Sequence, residues 1–458
     1  MESSLAGAGS KTAPSISDRN PFQQIHSLSR HMTALITRHN LRRFLAALAL
    51  LSATQLSAQV KPLTLADCLN AALKNHPLMS SADQARISAT YASEAIRTGF
   101  LPQIGIASHF IAAPGYDEAV TNGGEFGAQI TASYLLYDGG ARSYEIQKGG
   151  LGVEQSALNE TRTKADIVYS VSVAFASAVK EKRELEVTRE DYAQLRDYFQ
   201  LVNQLHASGQ GSETDLLKTT VDMNNAEIDV EARTVAYRNA LLALAQSAGL
   251  NSTDVADVDT VQFTIPYDTT FVDDRNVDLA SQRLVLKQSE LEAQIAGSKV
   301  WPNVSLAADA GALTSLPNLE QGFSNVVGAS LGLSVTVPFL TFGSIHDNYV
   351  AARATAKSIS LQNDFARISL RHEFTMTKNN IDKARSEIHA LRNNLAVAEQ
   401  NFLLSKARYA GGSGLSLEVL DAIRTTNQIK LSIEEARSEM AVNILKLNRL
   451  NYTGATPE

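Results

Sequence analysis

From about Ala141 to Leu205 the chain runs without a proline while apolar residues return every seven positions, at Val171, Ala178, Leu185, Tyr192 and Phe199, flanked by Val168, Phe175, Leu195 and Val202. A seven-residue period is the seam of a coiled coil, in which one stripe of a helix packs on a neighbour. At 1.5 Å per residue, a run of about 65 residues reaches on the order of 100 Å, far beyond the needs of a globular domain. The second half of the chain repeats the seam at Phe374, Ile381, Ile388, Leu395, Phe402 and Tyr409, with Phe374 following Val171 by 203 places. Each run breaks at a glycine-rich turn and returns as a second helix, roughly Glu213 to Ala248 and Leu415 to Leu450. Taken alone, this periodicity also fits a coiled-coil scaffold.

Other landmarks recur in the same order. Phe100-Leu101-Pro102-Gln103 closes a helix-like segment in the first half and Val300-Trp301-Pro302-Asn303 does so in the second. Proline ends both because it disfavours helical geometry in the residue before it. Leu136-Tyr137-Asp138-Gly139-Gly140 pairs with Leu340-Thr341-Phe342-Gly343-Ser344, and His206-Ala207-Ser208-Gly209-Gln210-Gly211 pairs with Tyr409-Ala410-Gly411-Gly412-Ser413-Gly414. Two internal repeats are therefore expected, a first over residues 59–270 and a second over residues 271–458.

Between the proline and the glycine corner of each half lie two segments that alternate with period two, the mark of a strand with two unlike faces. Phe126 to Tyr137 puts Phe126, Ala128, Ile130, Ala132, Tyr134 and Leu136 on one face, with Gly127, Gln129, Thr131 and Ser133 on the other. The equivalent run carries Val327, Ala329, Leu331, Leu333, Val335, Val337 and Phe339 against Gly328, Ser330, Gly332, Ser334 and Thr336. Their partners are Ile104 to Ile111 and Val304 to Ala310, with loops around Pro114 to Gly124 and Gly311 to Asn325. These lengths approach the roughly 9 to 11 residues that a tilted strand needs to cross a bilayer. A soluble sandwich is the alternative. Four strands cannot close a barrel, however, and an open edge in lipid leaves backbone groups unsatisfied at several kcal/mol each, so chains must combine.

Residues 1–40 are Ser-rich and aperiodic, and are expected to be a non-structural extension. Residues 41–58 have the basic start, short apolar run and small-residue end of a secretory signal, with removal expected near Ala58. About seven strongly apolar residues are too few for a spanning helix. With 41 Lys+Arg against 48 Asp+Glu, the net charge is −7, and no basic cluster stands in the body of the chain, so nucleic acid is not an expected partner. The one cysteine, Cys68, excludes an internal disulfide and a multi-cysteine metal site, and reads as a small buried hydrophobe. No two histidines have the spacing of a zinc helix, His372-Glu373 included, and no lysine follows Gly411-Gly412-Ser413-Gly414 to make a phosphate loop. No enzyme chemistry, cofactor or metal is expected.

From about Leu63 to Tyr452 the chain resembles the TolC-like outer-membrane efflux proteins. The resemblance rests on Leu63-Thr64-Leu65-Ala66-Asp67-Cys68-Leu69 with Asn75-His76-Pro77, the Leu-Pro-Gln step, the Asp-Gly-Gly corner and the glycine turn followed by Ser or Thr and an acid. It implies an α+β membrane protein: a homotrimer in which four strands per chain make a 12-stranded β-barrel, continued by an antiparallel α-helical coiled-coil tunnel across the periplasm. The implied role is the exit duct of a tripartite efflux or type I secretion system, in outer-membrane lipid, with a periplasmic membrane-fusion adaptor and an inner-membrane pump as partners. A periplasmic adaptor or scaffold without a channel is the competing reading. Carried over by motif, Asp215, Tyr409, Glu418 and Asp421 fall at gate positions, while the turns with Gly209, Gly211, Gly412 and Gly414 would dock the adaptor. Each carboxylate could equally be a solvated surface charge. Gly414 stands where the family often has arginine, so a gate closed by that arginine is not expected here.

Overall fold

The computed structural model describes residues 62–121, 123–260, 266–315 and 326–452, so the expected extension and signal segment lie outside the described residues. The chain opens with α1 (Leu65–Asn75), whose cap explains the Leu-Thr-Leu pattern: Thr64 Oγ1 accepts from the Asp67 amide at 3.2 Å and Asp67 Oδ2 accepts from the Thr64 amide at 3.1 Å. His76 ends α1 and caps α2 (Pro77–Gly99), with Pro77 in the first turn, where its missing N–H costs nothing. Next come β1 (Gln103–Ala112), a single helical turn α3 (Glu118–Thr121), β2 (Gly124–Tyr137), α4 (Ala141–Ala207) and α5 (Glu213–Ala248). The second set is α6 (Val277–Ser298), β3 (Asn303–Ser315), β4 (Val327–Thr336), α7 (Ser344–Ala410) and α8 (Ser416–Asn451). Both long helices have 67 residues and both return helices have 36. At 1.5 Å per residue the former span about 100 Å.

Three apolar clusters hold the helices. One seats Cys68, Leu69 and Ala72 of α1 on Val171, Phe175 and Ala178 of α4 and on Leu241 and Leu244 of α5. Burial pushes the Cys68 thiol up to about 11, consistent with a packing role. A second joins Phe374 and Ile381 of α7 to Ile444, Leu447 and Leu450 of α8. The third lies near the turns. Beside the first cluster, Lys182 Nζ donates to both Asp257 oxygens at 2.7 and 2.9 Å and Tyr237 donates to Oδ1 at 2.5 Å. Partial burial would raise the Asp257 carboxyl, but these hydrogen bonds win and hold it below its ordinary value.

The strands form one antiparallel sheet in the order β1-β2-β3-β4, leaving β1 and β4 as edges. Ile106 stands opposite Ile130, Ile130 opposite Ala310, and Ala310 opposite Ala329, so one apolar face runs through all strands. Three expectations need correction. The second-half strand stops at Thr336 rather than including Val337 and Phe339, because Pro338 has no amide to give a ladder. β3 continues through the expected loop start to Ser315, since Ala312 and Thr314 still pair with Ala128 and Phe126. An irregularity between Leu135 and Tyr137 puts Tyr137, not Leu136, opposite Val304. Among the described residues no helix is long and apolar enough to cross a membrane, a fact that leaves a strand-built crossing untouched.

Candidate functional site

Two regions of the fold stand out. The first is the sheet. Ile104, Ile106, Phe110, Val327, Leu331 and Leu333 are each more than 60% exposed, and every residue of β1 and β4 is exposed. In water such a surface would be an aggregation site, because burying each large apolar side chain gains about 1.5–3 kcal/mol. No Asp, Glu, Lys, Arg or His stands on that face among the described strand residues. Both edges also present unpaired backbone donors and acceptors. A ten-residue strand, the length of β1 and of β4, spans about 33 Å along its axis and less when tilted, which matches a hydrocarbon layer.

The second region is the end of the helices where α4 turns into α5 and α7 into α8. Each long helix ends by the same hydrogen bonds: Gln210 N to Leu205 O and Gly209 N to His206 O in the first, Ser413 N to Arg408 O and Gly412 N to Tyr409 O in the second. This closure needs a left-handed residue, supplied by Gly209 (φ +76) and Gly412 (φ +74). A Cβ on Gly211 would lie 2.7 Å from His206 N, and one on Gly414 2.9 Å from Tyr409 N, so those glycines let the returning chain pass close to the helix end. Ser212 then caps α5 by accepting from Thr214 N, whereas Leu415 gives α8 no side-chain cap.

Side chains tie the hairpins together at this end. Tyr409 packs with Leu195, Tyr198, Val202, Val419, Leu420 and Ile423, and its hydroxyl donates to Asp215 Oδ2 at 3.4 Å. Burial, and then the Asp215 charge, raise the Tyr409 hydroxyl above its ordinary value. Glu418 sits 3.7 Å from Arg408 of its own hairpin, and Asp421 is exposed. The structure thus joins Asp215 to Tyr409 and leaves Glu418 and Asp421 apart from that pair.

Sequence reasoning passed over three further links. Fully buried Tyr198 donates to Ser416 Oγ at 2.8 Å, and its ring meets that of Tyr409 edge-on at 5.6 Å between centroids. Arg424 of α8 reaches Asp222 of α5 at 2.6 Å, and Lys430 of α8 reaches Glu190 of α4 at 2.9 Å. A signal for the second link did exist: Asp222 and Arg424 occupy almost equivalent places in the two halves with opposite charge. Beside these links Asp191 is part-buried with Oδ1 lacking a hydrogen-bond partner. Burial foremost, and then the charge of Asp229, push its carboxyl up to about 6, against the opposing pull of Lys430 and Arg424. Among the described residues no group of acids, histidines or cysteines could hold a metal ion.

Comparison with known proteins agrees with this layout. The sequence pattern of the outer membrane efflux protein family matches residues 68–250 and 272–451. Outer membrane protein TolC of Vibrio cholerae serotype O1 is 22% identical over 409 residues, covering 86% of this chain and 92% of that protein. Nodulation protein T of Rhizobium leguminosarum bv. trifolii is 21% identical over 343 residues, covering 72% of each. The crystal structure of the outer membrane protein VceC from Vibrio cholerae superposes with a TM-score of 0.75 at 16% identity, covering 86% of this chain and 97% of that one, and so shares the fold.

Proposed function

Because the chain belongs to the outer membrane efflux protein family, we propose that three copies close their sheets edge to edge into one 12-stranded barrel, below which the helices form a single tunnel. The chain is an outer-membrane efflux channel. Its work is passage rather than chemistry: no enzyme activity, cofactor or metal is assigned to it. Residues 59–270 and 271–458 act as two repeats of one design, each giving two strands and one helical hairpin.

The observation that carries this reading is the four-stranded sheet with two unpaired edges and an ion-free apolar face. Lipid covers the face and neighbouring copies pair the edges. A periplasmic scaffold would account for the hairpins and leave that surface bare. Native mass spectrometry of detergent-extracted mature protein tests the point; a monomer that dissolves without amphiphile and forms no pores in planar bilayers would defeat it.

At the far end, Asp215, Tyr409, Glu418 and Asp421 form the gate, with the Tyr409–Asp215 contact holding the hairpins together. The turns at Gly209, Gly211, Gly412 and Gly414 dock a periplasmic membrane-fusion adaptor, which in turn engages an inner-membrane pump. Arg424, rather than an arginine at position 414, supplies the guanidinium link between hairpins. Three copies of Asp421 around one axis repel one another and draw cations.

A further inference from the structure

The face of the sheet opposite the apolar one is built mainly of small uncharged residues, such as Gly105, Thr131, Ser305, Gly328 and Ser334. Among the described strand residues it carries three ionisable side chains: His109, Glu125 and Asp309. His109 Nε2 lies 3.0 Å from Glu125 Oε1, so those two answer each other at one end of the sheet. Asp309 differs in place and in company. It stands mid-strand in β3, opposite Thr131 of β2 and Ser330 of β4. The Ser330 hydroxyl donates to Oδ1 at 2.6 Å and the Gln129 amide donates to Oδ2 at 3.3 Å, so side chains of three strands fix one carboxylate. No lysine, arginine or histidine forms an ion pair with it among the described residues.

We propose that Asp309 is a charge-selecting residue of the barrel's water path, where one copy from each of three chains makes a ring of uncompensated negative charge that favours cations over anions. This rests on the three-chain barrel proposed above. It places a filter within the membrane, roughly the length of the helices, about 100 Å, away from the acidic turns. The surroundings of Asp309 suit a filter, since small neighbouring side chains leave its charge uncovered and the hydrogen bonds from β2 and β4 stop the carboxylate from folding back on its strand. In a wide path the reach of a charge is set by salt, about 10 Å at 0.1 M and 3 Å at 1 M, so the selectivity must fade as salt rises.

The test is the reversal potential of reconstituted channels across a potassium chloride gradient, in a Glu418→Gln, Asp421→Asn background that removes two of the acids near the turns and is held constant for every variant compared. Asp309→Asn should lower the potassium-to-chloride permeability ratio about twofold near 0.1 M and leave it unmoved near 1 M. Asp309→Glu and Ser330→Ala, which keep the charge, should keep the ratio. Because Cys68 is fully buried, Asp309→Cys introduces one reachable thiol. Its reaction with a sulfonate-bearing methanethiosulfonate should restore cation preference, and the ammonium-bearing reagent should turn it toward anions. A ratio indifferent to Asp309→Asn, or a thiol that aqueous reagents cannot reach in working channels, overturns the assignment while the barrel stands. Failure of the unaltered protein to form channels would instead bring down the barrel and this inference together.

Discussion

Tyr198 of the first hairpin donates its hydroxyl to Ser416 Oγ of the second across 2.8 Å, at a point where both side chains are buried. The bond joins helices that local sequence does not join, and it lies beside the Tyr409–Asp215 contact in the same cluster. Burial raises the Tyr198 hydroxyl, so it stays a donor throughout the physiological range.

Tyr198→Phe should keep the ring packing and lose the bond, weakening the hold between hairpins by about 1 kcal/mol in each chain, or about fivefold per chain in the ratio of closed to open hairpins. Single-channel recording reads this as a raised open fraction. An open fraction equal to that of the unaltered protein would remove Tyr198 from the closing contacts.

Within each glycine pair at the turns the two positions should respond unequally. Gly412→Ala meets open space and costs the left-handed backbone alone, about 1–2 kcal/mol, whereas Gly414→Ala drives a methyl group against the Tyr409 amide. Thermal unfolding should rank Gly414→Ala below Gly412→Ala. Bulky residues at Gly209 and Gly412 should abolish adaptor crosslinking and efflux with the barrel intact; unchanged crosslinking would remove the turns as docking points.

Much of this architecture was legible in the sequence, and its gaps have physical reasons. The 203-place recurrence located both hairpins, because a heptad seam and a glycine stop are local signals. Tyr198 escaped that reading because the seam marks one flank of α4, while near the turns the second hairpin covers another. Tyr192 and Phe199, which the period favoured, are only half buried there. The links from Asp222 to Arg424 and from Glu190 to Lys430 depend on which helix lies beside which, and periodicity holds no record of that. The β2 irregularity was hidden for a related reason: alternation shows which residues share a face but not where the partner strand skips one.

Asp191 gives a pH dependence with a definite sign. Its folded-state carboxyl is raised from an ordinary 3.8 to about 6, so the neutral form is the better tolerated one. Stability from this group is fully present below about pH 4 and is lost as pH rises through about 6. Asp191→Asn should therefore stabilise the protein above pH 7, on the order of 1–2 kcal/mol after allowance for solvent screening, and add nothing near pH 4. Thermal midpoints at the two pH values check it, and an equal shift at both would contradict the buried-carboxylate account.

The sheet's faces should differ sharply in tolerance. Leu331→Lys or Ile106→Lys puts a charge on the apolar face at about 2–4 kcal/mol near mid-membrane and should reduce assembled protein in the outer membrane, whereas Ser334→Lys on the opposite face should assemble normally. Equal yields for all three would mean that lipid does not cover the apolar face.

The pairing of β2 with β3 clamps the two halves of the chain together at the sheet, while beyond it the hairpins meet mainly through side chains. That clamp makes each hairpin a lever pivoted at the sheet. With arms about 100 Å long, a tilt of about 5° carries a turn sideways by about 9 Å, so a motion too small to disturb the strands is several atoms wide at the far end.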